Sequence, residues 1–196
     1  MKLIRTVLTG LLALPLAAAQ PTGLSVGGGV ILGLDSYKKA VNATTGFLVN
    51  VGWETQLLKS GVPARVSLAA ATMPGKERNG LKTSLTLVQL TGDLLLETPS
   101  PRLRGIFGLS VNSYTAKFSG DESPSIFDAE HHFPFHDCKG LKGGVRLGLE
   151  YVQNPHLSYE AILQVTELAG RQRNDTLIRQ GAINPGWIQL GARYTF

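Results

Sequence analysis

The sequence predicts an all-β chain: an eight-stranded antiparallel up-and-down transmembrane β-barrel that follows a cleaved signal peptide. Three observations predict it. Residues 1–19 carry a cationic start, an apolar stretch and a small-residue end. A two-residue alternation of apolar and polar side chains then recurs eight times. The last alternating stretch runs to the final residue, the aromatic Phe196.

At the N-terminus Lys2 and Arg5 precede an apolar run from Val7 to Leu16, and Ala17, Ala18 and Ala19 come before Gln20. That is the order of a secretory signal peptide, with cleavage expected after Ala19. The run is shorter than the roughly 18 apolar residues of a membrane-spanning helix, and Pro15 breaks it. The expected division is a signal peptide at 1–19 and one barrel domain at 20–196. Of 196 residues 177 remain, and the formal charge falls from +5 to +3 as Lys2 and Arg5 leave. So small and dispersed an excess predicts no nucleic-acid partner. The 23 glycines and 43% hydrophobic content suit a β-rich chain. The single cysteine, Cys138, excludes an intramolecular disulfide framework, and no cysteine follows the cleavage site to carry a lipid anchor.

The first segment, about Thr22 to Leu34, sets Leu24, Val26, Val30 and Leu32 against Ser25, Gly27, Gly29 and Gly33. The second, Thr45 to Gln56, sets Phe47, Val49, Val51 and Trp53 against Leu48, Asn50, Gly52 and Glu54. In the third, Ala64 to Thr72, Val66, Leu68 and Ala70 oppose Arg65, Ser67, Ala69 and Ala71. The fourth, Thr83 to Glu97, opposes Val88, Leu90, Leu94 and Leu96 to Gln89, Thr91, Asp93 and Leu95. The fifth opposes Phe107, Leu109 and Val111 to Arg104, Gly108, Ser110 and Asn112. The sixth opposes Val145, Leu147, Leu149 and Tyr151 to Arg146, Gly148 and Glu150. The seventh opposes Tyr159, Ala161, Leu163 and Val165 to Glu160, Gln164 and Thr166. The eighth opposes Ile188, Leu190, Ala192, Tyr194 and Phe196 to Trp187, Gln189, Gly191, Arg193 and Thr195.

The content of the two faces decides between a soluble and a membrane barrel. The apolar faces carry almost no charge over about 9–11 residues, the length a tilted strand needs to cross a bilayer. The opposite faces hold Gly, Ser and Ala with a few long charged residues, which suits a narrow interior. Connections alternate in length. Residues 57–63, 98–102 and 154–156 are short and proline-marked, while 35–44, 73–82, 115–140 and 170–185 are long and polar. Short periplasmic turns and long outer loops are expected of an outer-membrane barrel. Trp53, Tyr151, Tyr159, Tyr194 and Phe196 fall on the apolar faces at the periplasmic strand ends and predict an aromatic girdle there. The outer girdle has only Phe47 as a clear member.

With its signal peptide, eight strands and terminal Tyr194-Thr195-Phe196, the chain resembles the OmpX/OmpW/OmpA-type family of small outer-membrane β-barrels. Ile188, Leu190, Ala192, Tyr194 and Phe196 resemble the signal by which the barrel-assembly machinery recognises its clients. The resemblance implies export through the periplasm, integral residence in a bacterial outer membrane, and no cofactor.

Eight charges are expected to point inward: Glu54, Asp93, Glu150 and Glu160 with Arg65, Arg104, Arg146 and Arg193. Equal numbers of both signs suggest a mutually satisfied network that plugs the lumen, since an unpaired buried charge costs several kcal/mol. Nearer the outside, Gly27, Gly29, Asn50, Ser67, Ser110 and Gln164 suggest a wet vestibule. The loop from Thr115 to Gly140 gathers His131, His132 and His136 beside Cys138 and several acids. The four-residue spacing of His132 and His136 aligns ligands only on a helix, and Pro134 opposes one, so no metal site is expected. Basic residues gather in the other outer loops: Lys38 and Lys39; Lys76, Arg78 and Lys82; Arg171, Arg173 and Arg179. They fit lipopolysaccharide phosphates beside the surrounding lipid. The leading expectation is a monomeric, non-enzymatic barrel with a structural or surface-interaction role through four loops. The alternatives are a narrow porin-like conduit for small solutes and a lipid A-modifying enzyme.

Overall fold

The structure, a computed structural model, describes residues 21–34, 45–57, 61–75, 81–120, 138–166 and 186–196. Eight strands run in order: β1 (Pro21–Gly33), β2 (Thr45–Leu57), β3 (Val62–Pro74), β4 (Leu81–Glu97), β5 (Leu103–Gly120), β6 (Cys138–Val152), β7 (Leu157–Val165) and β8 (Trp187–Thr195). Each pairs antiparallel with its sequence neighbours, and β8 closes on β1. Every strand is therefore paired on both sides over part of its length. Among the described residues there is no helix.

The register defines the lean of the strands. A hydrogen-bonded line from Glu97 passes through Arg104, Glu150, Glu160, Gly191, Gly29, Leu48 and Ala71 and returns to β4 at Leu87, a shear of 10 residues over eight strands. Closing a sheet requires such a stagger and the tilt that goes with it. The start of β1, the end of β8 and the short connections lie at one end, called here the turn end. The long connections leave from the other, the loop end. At the turn end Gly61 takes a φ of 71°, a left-handed conformation that glycine adopts without steric cost.

Side chains alternate across the sheet as the two-residue period dictates. In β2, Phe47, Val49, Val51 and Trp53 face out while Leu48 and Asn50 are buried. The strands run further toward the loop end than the sequence alternation suggested. β5 continues to Gly120 and β6 begins at Cys138, inside the stretch expected as a loop; β3 reaches Pro74 and β4 starts at Leu81. The reason is an inversion of polarity. Beyond Val88 and Val111 the outward positions become Thr86, Ser84 and Lys82 on β4, and Ser113, Thr115 and Lys117 on β5. Their inward neighbours Leu85, Leu87, Tyr114 and Ala116 are buried and apolar. The alternation persists with its faces exchanged.

Candidate functional site

The interior is layered. At the turn end the eight singled-out charges come together from seven strands, β2 to β8. Glu54, Arg65, Asp93 and Arg146 lie on one hydrogen-bonded line, with Gly108 between the last two. Arg104, Glu150 and Glu160 lie on a second. Arg65 has no exposed surface and holds three carboxylates. Its Nε donates to Glu54 Oε1 at 3.0 Å, Nη2 to Glu150 Oε1 at 2.7 Å, and Nη1 to Glu160 Oε1 at 2.5 Å. Arg193 Nε donates to the same Glu160 oxygen at 2.6 Å, and its Nη1 reaches Ser25 Oγ at 2.9 Å. Arg104 Nη2 lies 2.8 Å from Glu150 Oε2, and Ser158 Oγ donates to Glu150 Oε1 at 2.6 Å. Three carboxylates around one guanidinium are tolerable only because Arg104 and Arg193 flank them, spreading the charge over hydrogen-bonded pairs.

A second group carries the network toward the loop end. Arg146 Nε donates to Asp93 Oδ1 at 2.9 Å and Nη1 to Gln89 Oε1 at 3.1 Å. Gln89 Nε2 in turn donates to Asn112 Oδ1 at 2.8 Å and Gln164 Oε1 at 3.0 Å, and Gln164 Nε2 to Ser110 Oγ at 2.8 Å. The chain of donors thus passes from ionic groups to neutral amides and hydroxyls. Gly108 leaves the space in which Asp93 lies, since a Cβ there would stand 3.0 Å from Asp93 Cγ. Gly52 does the same for Arg193, whose Nη1 would be 2.7 Å from its Cβ. These two glycines are site residues that sequence reasoning did not single out.

Above the amide layer the interior turns apolar. Ile31, Leu48, Met73, Leu85, Leu87, Tyr114 and Trp187 form one buried cluster with Ala69, Ala71 and Ala116. This replaces the wet vestibule expected from Gly27, Gly29, Asn50 and Ser67. Gly46 and Gly140 leave room for two members of the cluster, since a Cβ at Gly46 would stand 2.5 Å from Met73 Cγ and one at Gly140 3.1 Å from Tyr114 Cζ. At the turn end, by contrast, a cavity of about 310 Å³ opens over Glu54 and Arg104, rimmed by Asn154, His156, Ser158 and Thr195.

Outside, 26 large hydrophobic or aromatic residues are exposed among those described, including Val49 at 64% and Leu109 at 61%. Trp53, Tyr151, Tyr159, Tyr194 and Phe196 are all on this outer face at the turn end. Tyr151 pairs directly with Tyr159, and Tyr194 packs edge-on to Phe196 at 5.3 Å and stacks on His156 at 5.7 Å. Ile188 and Leu190 face outward beside them, as does Ala192. Residues 1–19 lie outside the described residues. So do His131, His132 and His136, and the basic residues Lys38, Lys39, Lys76, Arg78, Arg171, Arg173 and Arg179. Among the described residues no group of three metal-ligating side chains forms.

The fold is that of a small eight-stranded outer-membrane barrel. No family model and no curated relative matches the sequence. Among solved structures the chain is similar to neisserial surface protein A, with a TM-score of 0.58 and 12% identity over 90% of this chain and 99% of that one. It is also similar to Ail, the attachment invasion locus protein of Yersinia pestis, with a TM-score of 0.52 and 14% identity over 89% and 99%.

Proposed function

We propose that the chain is an integral outer-membrane barrel of bacteria with a structural or surface-interaction role, its lumen closed by the charged network. The observation that carries this reading is the pairing of an outward apolar band with an inward ionic cluster. Exposing one Leu or Val to water instead of burying it forfeits about 1.5–3 kcal/mol. An exposed set of this size would exceed the roughly 5–15 kcal/mol of net stability a folded domain has. Lipid is the cover that removes the conflict, and the aromatic rings at the turn end fit one lipid–water boundary.

In this reading the turn end faces the periplasm, after removal of residues 1–19 and insertion guided by the Ile188-to-Phe196 strand. The long loops then face the exterior, and the barrel stands as a monomer without a cofactor. The ionic layer and the apolar layer lie in series across the interior, which favours a closed barrel over a conduit. The buried hydroxyls of Ser25 and Ser110 are tied to Arg193 and Gln164, and the Glu150 carboxylate beside Ser158 is already paired with Arg65 and Arg104, which supports a non-enzymatic role.

Gel migration of the outer-membrane fraction tests location and fold together. A barrel of this kind migrates differently before and after boiling; a single unshifted band, or recovery in the soluble fraction, contradicts the proposal. Planar-bilayer recording of the refolded protein is expected to show no stable conductance, and reproducible open steps would restore the conduit.

A further inference from the structure

β4, β5 and β6 span 17, 18 and 15 residues, against 9 to 13 for the other strands. Their loop-end halves form a three-stranded wall that continues past the apolar band. On its outward face three lysines are exposed: Lys82 on β4, Lys117 on β5 and Lys139 on β6. The register places Lys117 opposite Ser84, two residues from Lys82, and Lys139 opposite Thr115, two residues from Lys117. Each diagonal step is about 7–8 Å, so the outer two lysines lie about 15 Å apart. Because the hydrogen-bonded line climbs toward the loop end from β4 to β6, stepping two residues back at each strand brings the three close to one level.

The rest of this face is equally specific in its chemistry. Ser84, Thr86, Ser113 and Thr115 fill the outward positions between the lysines and the apolar band. Leu141, 54% exposed, lies two residues below Lys139 on the same face. A row of cations, then hydroxyls, then hydrocarbon matches in order an amphiphile with phosphates, sugar and acyl chains.

We infer that the outward face of β4–β6 is a binding site for a phosphorylated glycolipid of the outer leaflet. Lys82, Lys117 and Lys139 hold its phosphates, the four hydroxyls meet its sugars, and Leu141 meets the base of its acyl chains. A lone phosphodiester headgroup reaches one lysine or two neighbours. A disaccharide phosphorylated at both ends reaches across the row, which favours a glycolipid over a glycerophospholipid. The inference rests on the outer-membrane reading above.

The test is native mass spectrometry of the refolded full chain in detergent, titrated with diphosphoryl lipid A, with lipid A stripped of phosphate, and with phosphatidylglycerol. Diphosphoryl lipid A is expected to bind most tightly. Each Lys→Gln change is expected to weaken it about five-fold, and Lys82→Gln, Lys117→Gln and Lys139→Gln together about a hundred-fold. Arg102→Gln, at the turn end, serves as a control that leaves binding unchanged. Binding that survives the triple change, equal binding of phosphatidylglycerol, or no preference for the phosphorylated form overturns the site. Heat-modified gel migration separates the two layers of inference. A shifted barrel without lipid A preference removes the lipid site alone, whereas an unshifted native chain removes the membrane reading beneath it.

Discussion

Two stretches of β5 make opposite use of the same two-residue period. From Leu103 to Val111 the outward side chains include Phe107 and Leu109, and the inward ones Arg104, Ile106 and Ser110. From Ser113 to Lys117 the outward side chains are Ser113, Thr115 and Lys117, and the inward ones Tyr114 and Ala116. The first stretch is arranged for lipid outside and a polar interior. The second is arranged as a soluble barrel is, with water outside and an apolar interior. In the proposed membrane reading the switch along one strand marks where the hydrocarbon ends, and it implies that the barrel's stability has two sources. Ionic pairing, beside a small apolar cluster of Leu95, Ile106 and Ile162, holds the turn half, and apolar packing alone the loop half.

The largest expected effect comes from the turn half. Arg65→Ala leaves Glu54, Glu150 and Glu160 without their shared cation in a buried site, and should cost about 3–5 kcal/mol. Urea unfolding of the barrel in lipid vesicles measures it; a loss below about 1 kcal/mol would mean that the network is solvated. In the loop half, Leu85→Ala should cost about 2–5 kcal/mol by opening a cavity in the apolar cluster. A near-neutral result there would restore the wet vestibule and erase the contrast. Arginine scanning of the outer face sharpens the boundary itself. Leu109→Arg should cost about 2–4 kcal/mol if it lies near mid-bilayer, while Thr115→Arg should stay within about 0.5 kcal/mol as an ordinary surface change. Equal costs at the two positions would place the boundary elsewhere.

The two halves also differed in how far the sequence revealed them. In the turn half, hydrophobic and charged residues alternate so sharply that Glu54, Arg65, Glu150 and Arg193 take a side from parity alone. Their partners do not follow from parity. Arg65 meets Glu150 and Glu160 because the shear brings β6 and β7 across from β3, and Arg193 and Asp93 have room because Gly52 and Gly108 lack a side chain. Those are properties of closure, invisible in any one segment. In the loop half, outward apolar residues give way to Ser113 and Thr115, so Thr115 to Gly140 read as a loop. An inverted alternation was there to be seen in Lys82-Thr83-Ser84-Leu85-Thr86-Leu87. The vestibule expectation failed for a related reason: the inward positions of the inverted stretches, Met73, Leu85, Leu87 and Tyr114, are apolar and gather with Trp187 in one buried cluster.

The most direct measurement is a nitroxide scan of the outward positions of β5, at 105, 107, 109, 111, 113, 115 and 117, comparing collisions with oxygen and with a water-soluble nickel reagent. Oxygen should dominate through 111 and the nickel reagent from 113 to 117. Nickel access at 107 and 109, or oxygen dominance along the whole strand, would contradict the account.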